Sequence, residues 1–203
     1  MDLWIATGNA GKMKEFEIQL REIADLKLHA QSEISGFTPR PEDGKTFLDN
    51  ARIKTKSLKA VRSKDWVMGE DSGLEVTGLG GLPGIHSARY AGPKAADSEN
   101  VAKLLKMMQI RAVTDRSARF VCTMVVYTPD GQEWVFTGEM KGSIAKAAVG
   151  QLGFGYDPVF IPEGETKTLA ELGPGYKVRL SHRSKALKAF LEKLQSEAVS
   201  SPT

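Results

Sequence analysis

Leu3-Trp4-Ile5-Ala6-Thr7-Gly8-Asn9-Ala10-Gly11-Lys12 opens the chain with an apolar run, a glycine-bearing turn and the start of a helical pattern. Residues 12–24 continue that pattern, with Met13, Phe16, Leu20 and Ile23 at helical spacing on one face. A strand, a tight turn and an amphipathic helix in this order predict an α/β protein. Further along, residues 27–30 read as a second strand. A loop over residues 34–45, carrying Pro39 and Pro41, leads into a helix over residues 46–64.

Next, the apolar run Trp66-Val67-Met68 gives way to Gly69-Glu70-Asp71-Ser72-Gly73-Leu74. The reading is a strand that ends in two carboxylates and then turns, presenting them at the edge of a sheet. Residues 78–84 are glycine-rich and irregular, and residues 98–108 are helical. Residues 118–127 and 132–140 form a hairpin around Thr128-Pro129-Asp130-Gly131. A short helix is expected near residues 168–172. The last helix starts from Ser181 as N-cap and ends near residue 195, with Leu187, Phe190, Leu191 and Leu194 as its apolar stripe. The chain shows no repeat and no separating linker, so residues 1–196 read as one α/β domain and residues 197–203 as a frayed tail.

The 203 residues are 41% hydrophobic and 26% charged, the balance of a globular protein able to bury roughly 70% of its unfolded surface. No apolar run approaches the length of a membrane span, and the N-terminus has no signal-peptide pattern. Cys122 is the single cysteine, so no internal disulfide forms, and a cytoplasmic setting is expected. A net charge of +3 (28 basic, 25 acidic) is too small to predict a nucleic-acid partner. Its distribution is uneven: residues 45–64 hold seven basic residues against Asp49, and residues 177–188 hold five and His182 with no acid. Two such clusters suit either one polyanion or two solvated helix faces.

Thr7-Gly8-Asn9-Ala10-Gly11-Lys12 resembles a phosphate-binding loop, in which glycines let backbone N–H groups approach an anion at a helix N-terminus and Lys12 adds a charge. It is not a Walker A sequence, because the glycines are too close together and Met13 stands where a Mg²⁺-binding hydroxyl is needed. In the second helix the stripe Phe47, Ala51, Leu58, Val61 is completed by Lys54. A lysine there either snorkels to the rim or meets a negative partner, and Asn50 stands one turn before it. Glu42 lies in a loop; together with the Glu70-Asp71 pair it would make an all-oxygen site suited to Mg²⁺.

Gly153-Phe154-Gly155-Tyr156-Asp157-Pro158 sets two aromatics among glycines, either to offer a ring to a flat ligand or to pack beneath a loop. Ser181-His182-Arg183 puts donors at the start of the last helix. Cys122 reads as core, and His29 and His86 belong to no motif.

Together these motifs resemble the inosine/xanthosine triphosphate pyrophosphatases, a family acting on non-standard purine nucleotides. The resemblance rests on Thr7 to Lys12, Thr46-Phe-Leu-Asp-Asn-Ala51, Glu70-Asp-Ser-Gly-Leu74, the stretch from Gly80 to Gly92, Phe154-Gly-Tyr-Asp-Pro158 and Ser181-His-Arg183, in family order across residues 3–195. It implies an elongated two-lobed α/β fold, with a long twisted mixed sheet flanked by helices and a nucleotide cleft between the lobes. It further implies a Mg²⁺-dependent homodimer that hydrolyses ITP, dITP, XTP and dXTP to the monophosphate and pyrophosphate.

Carried over by motif, Asp71 would be the general base and, with Glu42, a metal ligand. Thr7, Gly8, Asn9, Ala10, Gly11 and Lys12 would hold the triphosphate, and Lys54 and Ser72 would line its site. Phe154, Gly155, Tyr156, Asp157, Lys177, His182 and Arg183 would recognise base and sugar. Glu70 stands where many relatives have Asp, Ala10 replaces a bulkier residue, and residues 34–44 match less well. Selection would turn on the 6-keto group, since polar contacts of that kind discriminate by ~10⁴. Two other readings are a related pyrophosphatase for modified pyrimidine or ordinary nucleoside triphosphates, and a nucleotide-binding module without catalysis.

Overall fold

A computed structural model describes residues 1–21 and 23–200. The chain forms two compact units, one from residues 1–71, 122–138 and 182 onward, the other from residues 72–121 and 139–181. Six strands form one mixed sheet in the order β2-β1-β3-β4-β5-β6.

In the first unit β1 (Asp2–Ala6) pairs in parallel with β2 (Lys27–Ala30) and β3 (Trp66–Val76). Four of the five β1 residues are buried, as a parallel strand covered on both faces requires. Leu3 and Ile5 pack with Phe16, Met68, Leu187 and Phe190, whereas Trp4 and Ala6 pack with Leu58 and Val67. The first set brings α1 (Ala10–Leu20) and α6 (His182–Ser200) against one face, and the second brings α2 (Phe47–Lys59) against the other. Two-residue alternation along β1 and β3 thus divides the unit into two sides.

Several boundaries differ from expectation. Helix α1 starts at Ala10, because the Asn9 side chain accepts the Lys12 N–H at 3.0 Å, and it ends at Leu20. Helix α2 has Thr46 as its N-cap, in a reciprocal pair with Asp49 (3.0 and 3.1 Å). It stops at Lys59, whose ammonium donates to the carbonyls of Asp65 and Thr128 at 2.8 Å and folds the chain back, so Val61 is 53% exposed and leaves the expected stripe. Helix α6 continues past residue 195 to Ser200 through residues with no Gly or Pro; of the expected tail, residues 201–203 lie outside the described residues.

The main correction concerns the acidic stretch. The Gly69–Gly73 segment does not turn: β3 runs 11 residues, straight through it to Val76. Pairing with β1 as far as Gly69, and with β4 as the next strand of the sheet, keeps the backbone extended, and a Ser-Gly pair cannot outweigh that. Helix α2 approaches Gly69 too closely to admit a side chain, since a Cβ there would stand 2.4 Å from Thr55 Oγ1.

The second unit packs α3 (Asp97–Ile110) against the inward residues of β3, β4 (Ser117–Tyr127) and β5 (Glu133–Ile144), with Leu74, Val76, Leu104, Phe120 and Met140 in the core. Strand β6 (Phe160–Pro162) is antiparallel to β5, with Gly142 opposite Pro162. The short helix expected near residue 168 is α4 (Leu169–Leu172), capped by Thr168. A further helix, α5 (Pro174–Leu180), was not expected; Gly173 at φ +81° breaks the chain and Pro174 starts the new helix at a position that needs no N–H. Among the described residues no helix is long and apolar enough to cross a membrane.

The close approach at Gly69 is testable. Gly69→Ala is expected to lower stability by about 1–3 kcal/mol in urea unfolding, through overpacking against α2. Adding Thr55→Ala, which removes the nearest atom, should recover part of that loss.

Candidate active site

Because β3 remains a strand at residues 70 and 71, its two carboxylates point to opposite sides. Glu70 faces α1 and α6. Its side chain is 1% exposed, and Oε1 meets Lys12 Nζ at 2.7 Å and Arg183 Nη2 at 3.3 Å. Cys122 Sγ donates to Oε2 at 3.4 Å. Arg183 also pairs with Glu15 of α1 through Nη1. Burial alone would raise the Glu70 pKa; Arg183, Lys12 and Lys54 outweigh it and hold the carboxyl well below its ordinary value. The same charge, added to burial, pushes the Cys122 thiol well up. Cys122 is core, as expected, and also a donor to this cluster.

Asp71 faces α2. Its Oδ1 accepts from Lys54 Nζ at 3.0 Å and its Oδ2 from Asn50 Nδ2 at 3.2 Å. Asn50 and Lys54 are four residues apart and share a helix face. Lys54 Nζ also meets Glu42 Oε2 at 3.0 Å and donates to the Glu70 carbonyl at 3.1 Å. Of the two readings open for Lys54, the structure selects the negative partner. Burial pushes its pKa down, and Asp71, Glu70 and Glu42 more than compensate, so the ammonium persists above its ordinary range. Asn50 Oδ1 accepts the Gly44 N–H at 2.9 Å, so one side chain fixes both Asp71 and the loop that carries Glu42.

Glu42, Lys54 and Asp71 therefore come together. The donors are carboxylate oxygens only, and the Lys54 ammonium stands between them as a stand-in for a cation. Among the described residues no three His, Cys, Asp or Glu gather to hold a metal unaided. Two carboxylates suit Mg²⁺, which keeps waters and takes further oxygens from substrate phosphates, so the residues present fit that ion.

The Thr7 to Lys12 loop lies at the N-terminus of α1, with Gly8, Asn9 and Ala10 exposed and Thr7 Oγ1 accepting the Asn9 N–H at 3.1 Å. Lys12 extends from it to Glu70. His182 and Arg183, at the start of α6, are 4% and 1% exposed, and Arg183 serves the Glu70 cluster.

In the second unit, Gly153 takes φ +82°, and a Cβ there would stand 2.1 Å from Asp157 Oδ2. That oxygen accepts from the Phe154 N–H and from Lys177 Nζ, each at 3.0 Å. Lys177 Nζ lies 4.2 Å from the centre of the half-buried Phe154 ring. Tyr156 is 4% exposed and packed in the core, so of the two aromatics only Phe154 keeps a partly open ring. Ser72 is half-buried, the residue after Asp71 on β3.

Glu15 was missed. It is buried on α1, three residues after Lys12 and hence on the same face, which is the signal that would have found it.

The Ham1 family model matches residues 3–193. A dITP/XTP pyrophosphatase of Bdellovibrio bacteriovorus is 69% identical over 196 residues, covering 97% of this chain and 98% of that protein. The structure of the Staphylococcus aureus Ham1 protein superposes with a TM-score of 0.84 at 38% identity, covering 97% of this chain and all of that one. A HAM1 protein from Coxiella burnetii gives 0.86 at 33% identity, covering 97% and 99%. Sequence and fold agree from end to end: the chain belongs to the Ham1 family.

Proposed function

We propose that this protein is a nucleoside triphosphate pyrophosphatase that hydrolyses dITP, ITP, XTP and dXTP to the monophosphate and pyrophosphate, clearing them from the nucleotide pool. The observation that carries this reading is the grouping of Asp71, Lys54, Asn50 and Glu42 in a chain 69% identical to a dITP/XTP pyrophosphatase.

Asp71 is the general base. Asn50 and Lys54 each hold one of its oxygens, so the carboxylate is oriented before substrate arrives. It takes a proton from a water molecule as that water's oxygen bonds to the α-phosphorus. The bond from the α-phosphorus to the bridging oxygen breaks, and pyrophosphate leaves. Glu42 and Asp71 would hold Mg²⁺, which when bound supplies positive charge against the triphosphate. Lys54, freed from either carboxylate, offers the phosphates a full charge on a flexible stem. The exposed turn at Gly8 to Ala10 presents backbone N–H groups and the positive end of α1 to an anion. Phe154 supplies a face for the purine, beside the Asp157–Lys177 pair. A cytoplasmic homodimer, the state that the resemblance implies, belongs to the same reading; light scattering of the purified protein reads the dimer directly.

Two outcomes test the reaction. Asp71→Asn should keep the wild-type melting behaviour and lose about 10²–10⁴-fold in kcat, measured as pyrophosphate released from ITP. Wild-type turnover from that variant would remove Asp71 from its role. In a panel of purine and pyrimidine triphosphates, ITP and XTP should far exceed ATP and GTP in kcat/KM, and chelation of divalent ions should abolish release. Equal turnover of GTP and ITP points to the broader pyrophosphatase. Binding with no release, with or without Mg²⁺, points to a non-catalytic module.

A further inference from the structure

The ring of Phe154 sits on a loop whose backbone needs support, since Gly155 takes φ +61° and no regular element continues through it. Besides the Lys177 bond to Asp157, two bonds tie residues 155 and 156 to other parts of the second unit. The Tyr156 hydroxyl donates to the Ser87 carbonyl at 2.8 Å, and Ser87 is itself fixed where its Oγ accepts the Leu74 N–H of β3 at 2.8 Å. The Gly155 N–H donates to Asp97 Oδ2 at 2.7 Å, across 58 residues of sequence.

Asp97 is the first residue of α3, where an acid ordinarily serves the helix end. Here Glu99 does the capping, its Oε2 accepting the Ala96 N–H at 2.6 Å. The Asp97 carboxylate instead reaches out to the aromatic loop. Its side chain is exposed, so burial of apolar surface does not account for its placement.

We propose that Asp97 is a positioning residue for nucleotide binding: by holding the Gly155 N–H it fixes the loop that aims the Phe154 ring at the purine. The proposal rests on the reading of Phe154 as the base platform, and goes beyond it in assigning a role to a residue outside the site. Asp97 touches no substrate; it acts through the loop.

Asp97→Ala and Asp97→Asn, each with Phe154 intact and in a Phe154→Ala background, test the assignment. The readouts are KM and kcat for ITP and the equilibrium Kd of inosine monophosphate by titration calorimetry. Asp97→Ala should raise KM and Kd about three- to ten-fold, the scale of one hydrogen bond, with the change in KM and not in kcat. Asp97→Asn keeps an acceptor oxygen and should recover most of the affinity. In the Phe154→Ala background Asp97→Ala should cost nothing further. Wild-type KM and Kd for Asp97→Ala would overturn the proposal, as would an equal loss with and without the Phe154 ring. Absence of pyrophosphate release by the wild-type protein would fail the activity alone, because the monophosphate Kd reads Asp97 without turnover.

Discussion

A carboxylate with almost no access to water lies on β3, one residue past its parallel pairing with β1, and the first unit is arranged to keep it charged. Glu70 is 1% exposed, and taking an ion of that kind out of water costs several kcal/mol unless cations answer it. Lys12 comes from the first turns of α1 and Arg183 from the start of α6, while Glu15 balances the second charge of the cluster. Residues 12 and 15 on α1, residue 70 and residue 183 come from three remote parts of the sequence, yet removing any one would leave the buried cluster with an unbalanced charge. Helices α1 and α6 therefore have to meet the same side of β3, which is also where Leu3, Ile5, Phe16 and Phe190 bury their apolar surface.

That placement decides where the proposed chemistry lies. Once residue 70 faces α1 and α6, the pleat turns residue 71 toward α2. Two neighbouring acids, alike in sequence, receive different work. Glu70 is locked between fixed cations. Asp71 is held by an amide and an ammonium that it shares with Glu42, whose side chain is 35% exposed. One side is closed and structural; the other keeps an exchangeable partner. On the proposed reading, a divalent ion between Glu42 and Asp71 would compete with an ammonium rather than enter an empty space, which would couple metal affinity to the position of Lys54 through the same two carboxylates.

The second unit repeats the device at smaller scale. Asp157 and Lys177 are nearly inaccessible to water and pair at 3.0 Å, and the same Asp157 oxygen takes the Phe154 N–H. A buried ion pair is a poor source of net stability, but it has strict geometric demands. Here those demands are met by a loop in which Gly153 leaves room for the carboxylate. The partly open ring that results is Phe154, while Tyr156 is drawn into the core.

Local patterns carried most of the fold in the sequence: the strand, turn and helix at residues 3–20, the helices after residues 46 and 168 and the hairpin around residue 130 all depend on near neighbours. The residue types of the candidate site could be named for the same reason, and Lys54 stood out because a cation on an apolar stripe demands a partner. Features set by remote contacts were not legible. The Glu70-Asp71 stretch carries a Ser-Gly signal for a turn, and only the place of β3 in the sheet, paired with β1 up to Gly69 and next to β4, makes extension the better state. Val61 fits the helical stripe until Lys59 finds carbonyls at residues 65 and 128. Glu15 looks like an ordinary surface residue until Arg183 is placed beside it, and only the fold turns Arg183 to Glu70. Sequence displays which groups are able to ionise; which face of a strand each one occupies is fixed by the group that is most costly to bury, and here that group is Glu70.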